Sequence, residues 1–357
     1  MPNEFKINAT MVGLNHPPYF IADIGANHDG ELERAFKLIE LAKSAGAHAA
    51  KFQNFKAPKI VSKFGFENLG AKSAHQAGWK KSVFETYEDA SVNPDWTPLL
   101  KQKCDEVGIE YFTSPYDKES VDQVDKYVNV YKIGSGDITW PDIIEYISSK
   151  GKPMLIATGA SSFEDVQRAM KTLSKYKLGV GLLQCNTNYT LDKDKFKFVN
   201  LNVLDLYKKE FPHTVLGLSD HTTGHATVAG SIALGARIIE KHFTDENDRT
   251  GPDHKFAMNP KSWREMVDVA NEIFYALGDG DKRIEDNEIN SRIVQQRCLR
   301  VTKDLPAGSI LIKENIEALR PCPDEALRPY EIDQCLNKVL VKPLRAGEHV
   351  TRNSFSK

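Results

Sequence analysis

The chain has 357 residues, and its 47 lysines and arginines nearly balance its 49 aspartates and glutamates. It has no basic block of the kind that binds nucleic acid, and no run of about 18 apolar residues that would span a membrane. The five cysteines form no close pair, which argues against a disulfide framework or a structural zinc site. The N-terminus lacks the features of a signal peptide, so we expect a cytoplasmic protein.

Strand-like and helix-like segments alternate along most of the chain. Eight short apolar runs are typical of buried parallel strands, and a helical or helix-like segment follows each. The runs are residues 20–25, 47–54, 109–115, 130–136, 153–159, 180–186, 214–218 and 237–239. Eight such units favour an α/β fold, a (β/α)8 TIM barrel over residues 1–280. An open doubly wound sheet is the alternative, disfavoured because no GxGxxG motif follows the first strand.

Residues 54–94 interrupt the alternation after the second strand. Connections of about forty residues are usually functional or disordered. We expect this one, which includes His75, to lie over the barrel mouth as a lid or as part of an oligomer contact. The alternative is a mobile insertion with no catalytic part.

The C-terminal residues differ in pattern from the barrel. The polar residues 281–297 are predicted to be a linker. Within residues 298–357, Val301-Thr-Lys-Asp-Leu-Pro-Ala-Gly308 resembles Val341-Lys-Pro-Leu-Arg-Ala-Gly347. This half-repeat predicts a small, pseudosymmetric, β-rich domain.

Two histidines follow the last two predicted strands. The carboxyl ends of parallel strands meet at one mouth of a barrel, so we expect His221 and His242 to lie close together. A pair of imidazoles can bind a divalent metal and leave positions open for water and substrate. The alternative is that each histidine caps its strand through the backbone.

Polar residues at the other strand ends include two lysines, Lys51 and Lys132. A charge in an apolar strand is costly unless it is paired or binds a ligand. Together with hydroxyl groups and a metal ion, the two lysines could bind a phosphate and a carboxylate group. The alternatives are that one lysine forms a Schiff base with a substrate or that both form internal salt bridges. We expect Cys185 to be a core residue, since no histidine is placed in sequence to partner it.

Several motifs resemble the sialic acid synthase family, and they follow that family's order. They are Ile21-Ala-Asp-Ile-Gly-Ala-Asn-His28, Lys51-Phe-Gln53, Tyr131-Lys-Ile-Gly-Ser-Gly136, Gly217-Leu-Ser-Asp-His221, Glu240-Lys-His-Phe243 and Gly251-Pro-Asp253. Residues 298–357 are similar to the family's C-terminal antifreeze-protein-like (SAF) domain.

The resemblance implies a transferase that condenses phosphoenolpyruvate with an N-acylated amino hexose and releases phosphate by C–O cleavage. The acceptor would be N-acetylmannosamine or a dideoxy diacetamido analogue. The resemblance also implies a domain-swapped homodimer, in which the small domain of one chain covers the barrel mouth of its partner.

The resemblance further assigns residues. It implies a divalent metal ion, Mn²⁺ or else Mg²⁺ or Co²⁺, held by His221 and His242, and it places Asp253 near the sugar and Arg320 at the sugar's acyl group. Phosphoenolpyruvate would be held by Lys51, Thr113, Lys132, Ser135 and Ser219. Further substrate-binding residues are expected to be Gln53, Asn186, Thr187 and Tyr189.

Three positions depart from the family pattern. Asp23 and Asp137 stand where glutamate is common, and Thr187 stands at an asparagine position. We expect Asp23 or Asp137 to accept a proton from water or to orient a sugar hydroxyl, with Lys51 as a third catalytic residue. We expect these departures to affect which acceptor sugar is used more than which reaction is catalysed.

Three other functions stay open at this point. One is a related 3-deoxy-ulosonic acid synthase, and another is a Schiff-base aldolase that uses Lys51 or Lys132. The third is an inactive carbohydrate-binding or ice-binding protein whose terminal domain is the working part.

Overall fold

The computed structural model describes residues 4–69, 76, 79, 81–189 and 191–355. The chain divides into two compact units, Met1–Gly278 and Asp279–Lys357. No helix among the described residues is long and apolar enough to cross a membrane.

The first unit is built on ten strands, of which eight form one parallel sheet. They are β1 (Glu4–Ile7), β2 (Thr10–Gly13), β3 (Tyr19–Asp23), β4 (Ala49–Asn54), β5 (Glu110–Pro115), β6 (Tyr131–Ile133), β7 (Met154–Ala157), β8 (Val180–Cys185), β9 (Val215–Asp220) and β10 (Ile238–His242). The strand order is β5-β4-β3-β10-β9-β8-β7-β6, and the end strands β5 and β6 contact each other. The sheet is therefore a nearly closed eight-stranded barrel, and the TIM-barrel prediction is confirmed.

Helices follow the barrel strands, and the second to the fourth of them lie in the connection after β4. They are α1 (Leu32–Ser44), α2 (Ala57–Ile60), α3 (Lys63–Asn68), α4 (Val83–Ala90), α5 (Trp96–Val107), α6 (Lys118–Val124), α7 (Pro141–Ser148), α8 (Phe163–Leu173), α9 (Val203–Glu210), α10 (Ala226–Ala233) and α11 (Pro260–Ala276).

Alternation along each strand divides the core into two layers. In β10, Ile238 packs inside the barrel, whereas Ile239 packs in the layer between the strands and the helices. In β5, Phe112 faces inward and Tyr111 outward in the same way. Burial of each such side chain contributes about 1.5–3 kcal/mol, so the register of every strand is fixed by its apolar residues.

An N-terminal hairpin closes the amino end of the barrel. β1 pairs with β2 in antiparallel register, and Phe5, Ile7 and Val12 pack into the inner apolar cluster. This hairpin was not predicted from the sequence, because a strand of four residues is too short to give a distinct pattern.

The described part of the connection after β4 contains helices. Three short helices, α2 to α4, lie within it, and Val61 and Val83 pack together with Tyr87. Ser82 and Glu85 form a capping box that starts α4. His75 lies outside the described residues.

Within the described residues, the second unit contains one α-helix, α12 (Ile289–Gln295), several short 3-10 helices, and two paired strands, β11 (Cys298–Val301) and β12 (Ile316–Leu319). The helix falls in the region predicted as a linker, and the carbonyl of Ile293 accepts a hydrogen bond from the amide of Cys322 at 2.8 Å. The half-repeat is visible as a reciprocal pair: Leu305 and Leu344 exchange backbone hydrogen bonds of 2.8 and 2.9 Å.

Candidate active site

A pocket of about 520 Å³ opens at the carboxyl ends of the barrel strands. Strand ends and the loops behind them supply its polar lining, and most of the residues predicted from the sequence lie in it. These are Asp23, Lys51, Gln53, Lys132, Ser135, Asp137, Thr187, Tyr189, Ser219, His221, His242 and Asp253. The volume is in the range of small-molecule sites, and the position is the one where barrel enzymes build their active sites.

Two lysines and two carboxylates form a buried network on the pocket floor. Lys51 Nζ lies 2.6 Å from Asp23 Oδ2 and 3.5 Å from Glu240 Oε1. Lys132 Nζ lies 3.2 Å from the same Glu240 oxygen, to which Ser219 Oγ donates at 3.2 Å. The internal salt bridge, one of the alternatives for the lysines, is therefore present, and it borders the pocket.

Glu240 belongs to this floor, although the sequence analysis did not select it. Its side chain alternates with Ile239 and Lys241, so it faces into the barrel with Ile238 and His242. The available signal was an acid within an apolar strand, the same signal that selected the lysines. Glu240 Oε2 is buried and makes no hydrogen bond within the described residues.

The charge state of Lys51 bears on the Schiff-base alternative. Burial alone would lower its pKa, but Asp23 and Glu240 outweigh burial and raise the pKa above the ordinary lysine value. The amine therefore stays protonated and is a poor nucleophile, which disfavours a Schiff base at this residue. Conversely, Lys51 and His242 outweigh the effect of burial on Asp23 and hold its pKa low.

Asp137 is set apart from the other acids of the pocket. It follows β6 in the short helical turn Ser135–Asp137. Burial raises its pKa to about 6, and Lys132 offsets this only in part. A carboxyl group with a pKa near neutrality is suited to accept and return a proton.

The two histidines lie side by side, with ring centroids 5.5 Å apart. The ring nitrogen Nδ1 of His221 lies 3.0 Å from the carbonyl oxygen of Asn186, so a proton on Nδ1 donates to that oxygen and leaves Nε2 as a ligand. His242 Nδ1 is buried without a hydrogen bond to the described residues, 3.6 Å from Asp253 Oδ2.

This pair fits a divalent ion in an open site. Within the described part of the chain, no three His, Cys, Asp or Glu side chains converge as a closed cage. Two imidazoles, one of them oriented by a backbone carbonyl, leave the remaining positions to water and substrate. Phe256 packs on His242 at 5.0 Å and Tyr189 on His221 at 4.3 Å, which fixes both rings.

Three predicted substrate-binding residues do not line the pocket. Thr113 lies on the outer face of β5 with Tyr111, and its hydroxyl donates to Asn54 Oδ1 at 2.5 Å. Asn186 donates its amide to Phe198 and holds His221 through its carbonyl. Arg320 is exposed on the second unit.

Cys185 is buried, as expected, but it has a histidine neighbour. Its Sγ lies 3.9 Å from His221 Nδ1, which the sequence separation of the two residues did not indicate. Burial alone would raise the pKa of the thiol, but His221, Ser135 and Lys132 together outweigh burial and lower it.

A second ion-pair network holds the loop that carries Asp253. Asp253 Oδ2 accepts from the amide of Ala26 at 3.1 Å, which joins the loop after β10 to the loop after β3. Beside it, Asp29 pairs with His254 Nε2 at 2.8 Å and with Arg249 Nη2 at 2.8 Å. Arg34 reaches the same carboxylate at 3.1 Å.

Comparison with known proteins identifies similar sequences over nearly the whole chain. The model of the NeuB family matches residues 38–282, and the model of the SAF domain matches residues 296–355. An N,N'-diacetyllegionaminic acid synthase from Legionella pneumophila is 31% identical over 97% of both chains. The human N-acetylneuraminate-9-phosphate synthase is 30% identical over 87% of this chain and 86% of its own.

Solved structures of related proteins are also similar to this chain. The N-acetylneuraminic acid synthetase from Leptospira borgpetersenii, in complex with citrate, has a TM-score of 0.71 at 26% identity and covers 82% of this chain and 95% of its own. The spore coat polysaccharide biosynthesis protein SpsE from Bacillus subtilis has a TM-score of 0.65 at 26% identity and covers 99% of both chains.

Proposed function

We propose a function from one premise: the chain belongs to the NeuB family. It is a transferase that condenses phosphoenolpyruvate with an N-acylated amino hexose, forms a nonulosonic acid of the sialic acid type and releases phosphate. The observation that carries this proposal is the buried floor of Lys51, Lys132 and Glu240 beside an open histidine pair.

Phosphoenolpyruvate is proposed to bind on this floor. Lys51 and Lys132 would face its phosphate and carboxylate, with the hydroxyls of Ser135 and Ser219 as further donors. Because Asp23 and Glu240 already balance the two lysine charges, a highly charged anion needs further positive charge in the pocket.

A divalent ion on His221 and His242 would supply that charge, and we propose Mn²⁺, with Mg²⁺ or Co²⁺ as alternatives. When bound, it polarises the aldehyde oxygen of the sugar. Asp253 lies beside His242 and is placed to hold the sugar, with Gln53, Thr187 and Tyr189 around it.

Residues of the chain then assist the steps of the reaction. The enol carbon of phosphoenolpyruvate attacks the aldehyde carbon, and water adds to the neighbouring carbon, which has become electron-deficient. Asp137 accepts one proton of that water and returns it to the oxygen of the former aldehyde. The tetrahedral product then expels phosphate by C–O cleavage, and its hydroxyl proton leaves with the phosphate. The ionised Asp23 fixes Lys51 through the 2.6 Å ion pair, so that the lysine stays charged toward the phosphate.

We further propose a cytoplasmic, domain-swapped homodimer, in which the second unit of one chain covers the pocket of its partner. Arg320 would then touch the acyl group of the sugar from the partner chain. All five cysteines are free, which fits a reducing compartment.

The test is phosphate release from phosphoenolpyruvate with a panel of N-acylated amino hexoses, with Mn²⁺ and then with chelator. Release that needs both the sugar and the ion is expected. No release with any sugar in the presence of Mn²⁺ would refute the function, and a lysine adduct trapped by borohydride in the presence of chelator would favour the aldolase.

The metal site has its own test. His221→Ala and His242→Ala are each expected to lose bound Mn²⁺, measured as metal content, and to keep the thermal transition of a folded protein. The control is His213→Ala, an exposed histidine ahead of β9, which should keep the metal. Full metal content in both site variants would contradict the assignment.

A further inference from the structure

We propose that the buried ion pair of Lys241 and Asp220, together with Lys195, holds His221 and His242 at the spacing that binds the divalent ion. None of the first three is among the described residues that line the pocket, so they act as positioning residues rather than catalytic ones. The inference rests on the proposed function, in which the two histidines bind the ion.

The ion pair joins the two strand ends that carry the histidines. β9 ends at Asp220, directly before His221, and β10 ends at His242, directly after Lys241. The parallel register of the two strands places Lys241 opposite Asp220 as its last pair. The side-chain ion pair therefore links the strands at the residues that adjoin the two proposed metal ligands.

The ion pair lies on the face of the strands that points away from the pocket. Ile239 and Leu218, two residues before Lys241 and Asp220, pack in the layer between the strands and the helices, and the alternation of a strand puts the ion pair on the same face. Lys241 and Asp220 are 2% and 4% exposed, and Lys241 Nζ lies 2.5 Å from Asp220 Oδ2. Burial of two charges is costly, so the pair is stable only in a closely defined geometry.

Three consecutive residues, Asp220, His221 and Thr222, each accept a hydrogen bond from a lysine. Lys241 Nζ donates to Asp220 Oδ2 and, at 2.7 Å, to the carbonyl oxygen of Thr222. Lys195 Nζ donates to the carbonyl oxygen of His221 at 2.7 Å. The Asp220 carboxylate also accepts from the amide of Thr222 at 3.0 Å. These bonds fix the backbone on both sides of His221, and the backbone sets the direction of its imidazole.

Groups that orient metal ligands contribute strongly to metal affinity, and losing one typically weakens binding about 10–100-fold. The carbonyl of Asn186 orients the ring of His221, whereas the lysines hold its backbone. An ion pair that served the fold alone would affect stability and leave the affinity for the ion unchanged. The affinity for the ion therefore distinguishes a positioning role from a structural one.

The experiment measures the dissociation constant for Mn²⁺ alone on the full chain, from the electron paramagnetic resonance signal of the free ion. The double variant Lys241→Met/Asp220→Asn removes both charges and the donor to Thr222, so that neither charge is left without its partner. We expect the variant to keep the thermal transition of a folded protein and to bind Mn²⁺ at least tenfold more weakly. An unchanged dissociation constant in the folded variant would overturn the inference.

Lys195→Met tests the same arrangement without changing the ion pair, and it decides the question if the double variant does not fold. It removes the donor to the carbonyl of His221, and we expect a folded protein with a dissociation constant for Mn²⁺ about tenfold higher. The control is Lys152→Met, which removes a partly buried lysine that lies 2.8 Å from Asp125, ahead of β7. The control should lower the transition temperature and leave Mn²⁺ binding unchanged. An equal loss of affinity in the control would show that general destabilisation is the cause and would overturn the inference.

His242→Ala in the same assay separates this inference from the proposed function. If the original chain binds no Mn²⁺, or if His242→Ala binds it as tightly as the original chain, the proposed metal site is wrong and the inference falls with it. If the original chain binds Mn²⁺ and His242→Ala does not, an unchanged dissociation constant in the positioning variants overturns the inference alone.

Discussion

At the scale of single residues, Glu240 organises the pocket floor. Its Oε1 lies within 3.5 Å of both lysines, and its pKa is low because Lys132 and Lys51 outweigh the effect of burial. Isolated buried charges are costly, so the lysines and acids stabilise one another and fix the positions of the two ammonium groups. Asp137 lies outside this network and keeps the proton affinity that a general base needs.

The pKa of Asp137 predicts a pH dependence of activity. Because the pKa is raised to about 6, the carboxyl group is protonated below that pH and ionised above it. As the proposed base must be ionised, kcat/KM should fall as the pH drops below about 6. Asp137→Asn should lower kcat about 10²–10⁴-fold and remove this limb from the profile.

The control for this prediction is the stability of the same variant. A raised pKa in the folded state stabilises the fold at low pH, and this contribution is lost as the pH rises through about 6. In urea unfolding, Asp137→Asn should therefore gain stability relative to the original chain as the pH rises from about 4, the usual pKa of an unfolded aspartate, to about 6, and should keep that gain at higher pH. A limb that persists unchanged in the variant belongs to the substrate, and the assigned role of Asp137 would be wrong.

At the scale of elements, the loops after β3 and β10 are fastened to each other. Asp29 binds His254, Arg249 and Arg34, and Ala26 binds Asp253. These contacts lie within a few residues of the pocket, so they set the position of the Asp253 carboxylate relative to His242. The geometry of the proposed sugar site thus depends on a network that does not line the pocket.

Asp29→Ala should weaken the contacts between the loops after β3 and β10. It leaves the buried Arg34 and His254 with one partner fewer, and the expected loss of stability is about 3 kcal/mol. Because Asp253 moves with the loop, KM for the sugar should rise more than KM for phosphoenolpyruvate in steady-state kinetics. The control is Asp248→Ala, which removes an exposed acid from the loop after β10, the loop that also carries Asp253. Unchanged KM values in Asp29→Ala, together with a stability loss, would show that the network serves the fold alone.

At the scale of the whole molecule, the proposed domain swap would bring Arg320 of one chain to the pocket of its partner. Arg320 lies on the second unit, and His242 lies in the barrel. In the proposed domain-swapped dimer, each active site would combine His242 of one chain with Arg320 of the other.

Mixing two variants tests this arrangement. Arg320→Ala and His242→Ala should each be nearly inactive as homodimers. After they are unfolded and refolded together, half of the dimers should hold one intact site, and the mixture should regain about a quarter of the original activity. If both homodimers are inactive and the mixture regains nothing while size-exclusion chromatography shows dimers, each barrel takes Arg320 from its own chain. An active Arg320→Ala homodimer would show that the site does not use Arg320.

Much of the fold and part of the site followed from the sequence. Eight buried runs separated by helical patterns are the signature of a barrel, and the strand ends gave the histidine pair. Lys51 and Lys132 were found because a charge in an apolar strand is costly, and Glu240 offered the same signal. The outward position of Thr113 was not foreseen, because one residue along a strand reverses the face and the sequence alone left that register open.

The sequence by itself determined the local patterns of the chain: which runs are strands, which end of the barrel carries polar groups, and which family the motifs resemble. The tertiary structure decided what depends on distance between remote residues. It placed His221 beside Cys185, Asp29 beside His254, and the helices α2 to α4 at the mouth of the pocket. The physical reason is that pattern and charge act along the chain, whereas pairing, burial and the pKa of a group depend on neighbours that only the closed barrel brings together.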